Sequence, residues 1–146
     1  LGKNILGIIF SAVAGSLMSI QGVFNTRSSE KIGLFETNLI VQGSAFILTL
    51  ILFILFGNGG LKKLTEVNKL YFLGGAIGVI ITYSVMKGIG ELSPTYAISI
   101  ILVSQLITAS LIDCCGLFET KQLQFHMSKI IGVIIMVLGI IIFKWK

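Results

Sequence analysis

At 146 residues, with 55% hydrophobic and only 12% charged residues and a mean hydropathy of +1.00, the chain lies outside the composition of soluble domains, where about 25% of residues are charged. One globular core of this length cannot hide five long apolar runs, so lipid is the solvent. The net charge of +5 does not indicate nucleic acid, because the lysines stand at the ends of apolar runs, where they meet phosphate headgroups.

A helix rising about 1.5 Å per residue needs about 20 residues to cross about 30 Å of hydrocarbon. The first run that meets this test covers residues 5–24 and ends in the polar cluster Asn25-Thr26-Arg27-Ser28-Ser29-Glu30-Lys31. Ala12-Val13-Ala14 has the small-x-small form of a signal cleavage site. The apolar stretch at 5–10 is shorter than the roughly 7 to 15 residues such a signal needs, so the segment is expected to be retained as a span. The second run, 35–56, stops at the turn-forming Gly57-Asn58-Gly59-Gly60. The third covers 70–88, after Lys62, Lys63, Glu66 and Lys69. The fourth, 94–112, opens with Ser93 as N-cap and Pro94 at the first helical position. The fifth covers about 128–145. The expected fold is all-α, a single domain over 1–146 made of five transmembrane helices.

Orientation follows the loop lysines and arginines, the more basic side facing the cytoplasm. One side holds Lys3, Lys62, Lys63, Lys69, Lys121 and Lys129, six in all; the other holds Arg27, Lys31, Lys87, Lys144 and Lys146, five in all. So small a bias predicts insertion both ways, and oppositely inserted copies can pair as an antiparallel homodimer, the inverted arrangement on which many transporters are built. The alternative is that one strong loop, such as Lys62-Lys63-Lys69, decides the topology and the balance is accidental.

Three segments carry a family resemblance. Gln21, Asn25 and Arg27 form a Q-x-x-x-N-x-R segment at the end of the first helix. Leu73-Gly74-Gly75-Ala76-Ile77-Gly78 is a glycine segment opening the third, and Ser104-Gln105-Leu106-Ile107-Thr108-Ala109-Ser110-Leu111-Ile112-Asp113, followed by Gly116-Leu117, closes the fourth. In order and spacing these resemble the half-length, YdcZ-type branch of the drug/metabolite transporter superfamily. Ser104 stands where that pattern has glycine and Cys114 where it has histidine, so no role of that histidine transfers. The resemblance implies five helices, a half-size unit, pairing of oppositely inserted copies and residence in a bacterial inner membrane. It implies no substrate.

Polar side chains inside spans are unfavourable against lipid and mark interior surfaces or solute paths. At 100° per residue the second helix places Asn38, Gln42, Ala45 and Thr49 on one face, and the first gathers Ser11, Met18, Gln21, Gly22 and Asn25 on another. The amides either line a solute path or form interhelical hydrogen bonds of about 0.6 to 2 kcal/mol each; several at similar depth favour the path. On the third helix Gly74, Gly78 and Thr82 form a small-xxx-small stripe suited to helix packing, while Thr82, Tyr83 and Ser84 offer hydroxyls and an aromatic face. The fourth helix is polar on two faces, Tyr96, Ser99, Ser110 and Asp113 on one and Ser104, Gln105 and Thr108 on the other, and is therefore expected to be central. The path candidates are Gln21, Asn25, Asn38, Gln42, Thr49, Thr82, Tyr83 and Gln105.

No carboxylate falls at mid-membrane, which argues against one deep acid binding either a cation or a proton. Glu36 opens the second helix as a dipole partner. Asp113 ends the fourth, where the dipole disfavours it, and is the candidate coupling carboxylate. Lys87 and Glu91 are spaced to form an interfacial pair. His126 is the only histidine, and Cys114 and Cys115 lack C-x-x-C spacing, so no metal site, cofactor or catalytic triad is expected. The glycines form no phosphate loop, which leaves a gradient or passive flow to drive transport. The expected function is secondary transport of a small metabolite or drug-like solute by alternating access. Two alternatives remain: a passive channel, which would show single-channel current, and a non-transporting subunit, which would disappear without its partner.

Overall fold

Glycine 33 sits between the first two helices with φ 102° and ψ 157°, a conformation essentially reserved for glycine, and it reverses the chain in a single residue. The computed structural model describes residues 2–122, 124 and 126–145. Five α-helices account for most of them: α1 (Gly2–Ile32), α2 (Leu34–Phe56), α3 (Gly74–Glu91), α4 (Pro94–Cys115) and α5 (Met127–Lys144). Short 3-10 turns cover Leu61–Glu66, Lys69–Leu73 and Leu117–Glu119, and there is no strand among the described residues. Each of the five helical segments is long and apolar enough to cross a membrane. At most 11% of the most apolar window of any of them is buried, as expected where lipid covers the surface.

The helix boundaries differ from the apolar runs in an instructive way. The first apolar run ends at Phe24, yet α1 continues to Ile32. Residues 25–32 contain neither glycine nor proline, Thr26 and Ser29 return their hydroxyls to the carbonyls of Gly22 (2.7 Å) and Thr26 (2.8 Å), and Arg27 pairs with Glu30 at 3.0 Å. Polarity ends a lipid-facing surface; it does not end a helix. At 31 residues α1 is about 46 Å long and outreaches the hydrocarbon layer. The third span begins as a 3-10 turn at Lys69, where the Asn68 side chain accepts from the Leu70 N–H, and becomes α-helical at Gly74. In α4 the Ser93 hydroxyl caps the Tyr96 N–H with Pro94 in the first turn, and Gly116 closes the helix in the left-handed conformation.

Packing divides the chain into two compact units, Leu1–Glu91 and Leu92–Lys146. In the first, α1, α2 and α3 contact one another pairwise. Their common core lies at the Gly33 end, where Met86 and Ile89 of α3 are buried together with Asn25 and Thr26 of α1 and Thr37 and Asn38 of α2. Gly22 allows α1 to come close to α3 there: a β-carbon at this position would stand 2.9 Å from Ile89 Cδ1 and 3.1 Å from Val85 Cγ1. Toward the other end nothing lies within 4 Å of a β-carbon built on Gly7, Gly15 or Gly74. In the second unit α4 and α5 pack as a helical hairpin, and the Lys144 ammonium sits 4.1 Å above the Tyr96 ring.

Candidate functional site

The polar groups of the first unit meet on the α2–α3 contact. Asn38, one turn into α2, donates from Nδ2 to the Val79 carbonyl at 2.9 Å. One turn further on, Gln42 donates from Nε2 to the Thr82 hydroxyl at 3.2 Å, and that hydroxyl donates back to the Gly78 carbonyl at 2.9 Å. The α-helical repeat puts 38 and 42 on one face of α2 and 78 and 82 on one face of α3, so the two rungs stack. Gly78 lies within 3.9 Å of the Gln42 amide, measured from an ideal β-carbon. On the same contact Phe35 and Tyr83 stack with ring centroids 5.3 Å apart and planes 29° apart.

Asn38 is only 4% exposed, and its Oδ1 is buried without a hydrogen-bond partner among the described residues. A buried, unpaired acceptor costs about 1 to 3 kcal/mol, comparable to or greater than the gain from the bond its own Nδ2 makes. Packing among the described residues of the first unit leaves this acceptor open. Beside it, Thr37 is 1% exposed and donates to the Ser28 hydroxyl at 3.2 Å, tying α2 to the polar end of α1.

Of the residues marked by sequence, Asn25, Asn38, Gln42, Thr82 and Tyr83 come together in the first unit, Asn25 and Asn38 buried and the other three half-buried. Gln21 and Thr49 are exposed on the outer surfaces of α1 and α2. Gln105 and Asp113 belong to the second unit: Gln105 is exposed on α4, and Asp113 is half-buried in its last turn without an ion pair among the described residues. Gly74 has open space around it. The close helix approach supported by a glycine falls on Gly22 of α1. Lys87 and Glu91 form the expected interfacial pair, 2.8 Å apart. Glu36 folds its carboxylate back over Gly33 in the first turn of α2. Thr26, Ser28, Thr37 and Phe35 were not singled out by sequence. For Ser28 and Thr37 the available signal was their near-symmetric placement about Gly33, which folds one onto the other; Thr26 and Phe35 carried no such signal.

Among the described residues no group of three or more His, Cys, Asp or Glu side chains could hold a metal ion. The site consists of amides, hydroxyls, a backbone carbonyl and an aromatic pair, a chemistry of recognition by hydrogen bonding and stacking.

The fold and this polar seam define an integral membrane protein of five apolar helices. Residues 6–142 match the family described as "Putative inner membrane exporter, YdcZ". The chain therefore belongs to the YdcZ family, half-length proteins of the drug/metabolite transporter type, and is an integral inner membrane protein of the transporter class. No curated protein and no solved structure matches the chain.

Proposed function

We propose that the protein is a gradient-driven exporter of a small metabolite or drug-like solute that works as an antiparallel homodimer by alternating access. The α2–α3 polar seam forms part of its solute path. The observation that carries this reading is the unpartnered, buried Oδ1 of Asn38 beside the Gln42–Thr82 pair and the Phe35–Tyr83 stack. An acceptor held in a low-dielectric interior at a cost is suited to a donor that comes and goes. Membership of an exporter family supports transport, and the loop charges of six against five support insertion in both orientations. The amides supply hydrogen bonding and no fixed charge, so the path selects by shape and donor pattern, and the driving gradient acts through the solute or through groups outside this seam.

The test is a pair of measurements on the full chain. Solid-supported-membrane currents are recorded across a panel of organic cations, anions and amino acids, for the parent and for Asn38→Leu. A saturable current that Asn38→Leu abolishes supports the path; a single-channel current without saturation replaces transport with passive conduction. A reporter at the C-terminus reads orientation, and a population on one side only removes the antiparallel dimer.

A further inference from the structure

The second unit carries a feature that the solute path does not use. Between α4 and α5 lies an open cavity of about 190 Å³, walled mainly by Ile107 and Leu111 of α4 and Ile130, Val133 and Ile134 of α5, with Ser110 and Lys129 completing the lining. We propose that this groove seats an anionic membrane phospholipid, its acyl chain against the aliphatic wall and its phosphate on the Lys129 ammonium.

Charge complementarity and depth together commit the groove to this occupant. Lys129 stands in the first turn of α5, which carries no acid, and neither a carboxylate nor a ring partners its ammonium among the described residues. Lys144, which lines a separate cavity, has the Tyr96 ring beneath it, and Arg27 and Lys87 have Glu30 and Glu91. Lysine near a helix end extends its stem along apolar surface and holds its ammonium at headgroup level. Ile130 to Ile134 follow about 2 to 8 Å deeper along α5, so cation and aliphatic wall are ordered as head and tail are ordered in a lipid. Apart from Ser110 and Lys129 the wall is built of branched aliphatic side chains, and it contains no glycine. Gly139, which would admit a helix backbone, lines a separate cavity with Ser99 and Leu102. A flexible chain therefore fits this groove better than a packed helix does.

The purified full-length protein in neutral detergent is melted with added phosphatidylglycerol, phosphatidylcholine or soluble glycerol phosphate. Phosphatidylglycerol is expected to raise the midpoint, and the other two are not. Lys129→Gln is expected to raise the half-maximal phosphatidylglycerol concentration about fivefold, the scale of one basic residue at an anionic surface, whereas Lys144→Gln leaves it unchanged. Equal stabilisation by phosphatidylcholine, reproduction by glycerol phosphate, or an equal loss in both lysine variants overturns the proposal. A photoreactive benzoylphenylalanine at Ile134 supplies an arm independent of stability. In phosphatidylglycerol vesicles it is expected to yield a protein–lipid adduct by mass; an adduct with a second copy, or with residues 1–91, assigns the groove to protein and refutes the lipid.

Discussion

Asn38 separates two roles that usually travel together, and Asn38→Leu is the substitution that separates them. It removes the bond from Nδ2 to Val79, an interhelical contact worth about 0.6 to 2 kcal/mol in a membrane bundle. It also removes the unpaired, buried Oδ1, a burden of about 1 to 3 kcal/mol. The Val79 carbonyl is not orphaned, because it lies inside α3 and serves the helix's own ladder. Leucine keeps the branched heavy-atom skeleton of asparagine but carries bulkier methyl ends, so a modest overpacking cost at this buried position adds to the lost bond. These terms oppose one another, and the net change in stability is expected within about 2 kcal/mol of zero. Transport, by contrast, is expected to fall at least about tenfold, since a buried acceptor built for a donor is lost. Reversible unfolding in mixed micelles reads the first quantity, and solute flux in proteoliposomes from the same preparation reads the second. A variant destabilised by more than about 2 kcal/mol that keeps its flux makes Asn38 a structural bond and removes it from the path.

Gly33→Ala is expected to destabilise the hairpin by about 1 to 3 kcal/mol, because alanine is forced into a glycine-only conformation and its β-carbon meets the Glu36 carboxylate; mixed-micelle unfolding checks it. At Gly22, alanine is expected to be accommodated by small shifts of the Val85 and Ile89 side-chain ends, whereas leucine costs about 1 to 3 kcal/mol by forcing α1 from α3; the same unfolding assay ranks the two. Glu91→Gln breaks the pair with Lys87 at an exposed helix end and is expected to leave the melting midpoint unchanged. Lys62→Gln combined with Lys63→Gln changes the loop balance from six against five to four against five; a C-terminal reporter is expected to move toward the opposite side, and an unmoved reporter shows that these lysines do not set topology.

The five spans were legible because hydropathy over about 20 residues reports a physical requirement, the width of the hydrocarbon layer, that leaves the chain few alternatives. The end of α1 was not, because that same signal is silent about helix outside lipid: residues 25–32 read as a loop by polarity and are helical by propensity and hydroxyl back-bonding. The polar face of α2 identified Asn38 and Gln42, since a helix repeat fixes which side chains share a face before any partner is known. It could not say where the face ends, and Thr49, on the same stripe, is exposed. Nor could it supply partners: that Asn38 meets a carbonyl and Gln42 a hydroxyl depends on the register of α2 against α3, and nothing local encodes that register. The glycine stripe of α3 shows the same limit from the other side. Small residues permit close approach, but at Gly74 no helix takes up the offer, while Gly22 on α1 is used to the limit of contact.

The distribution of buried polarity argues for how such a bundle would move. Among the described residues of the first unit, the buried side chains all lie toward the Gly33 end, and toward the other end Gly7, Gly15 and Gly74 have open space around them. A bundle packed at one end and loose at the other can open and close about the packed end, and the Asn38–Val79 and Gln42–Thr82 rungs lie where that opening would begin. Both rungs are side-chain bonds of modest strength, and Thr82 keeps the Gly78 carbonyl as an acceptor when Gln42 leaves. A solute that offers a donor to the Asn38 Oδ1 and acceptors to the freed Asn38 and Gln42 amide N–H groups would leave no buried group stranded, so that exchange of partners rather than loss of bonds would accompany the opening. Gln42→Glu examines this step directly. At neutral pH a carboxylate would accept from Thr82 where the amide donated, forcing that hydroxyl to abandon the Gly78 carbonyl. Flux is expected to become strongly pH-dependent in this variant, rising as the acid is protonated and regains a donor, while the parent shows no such rise. A flat profile in Gln42→Glu, measured with the same solute, would mean that the Gln42–Thr82 rung does not open during transport.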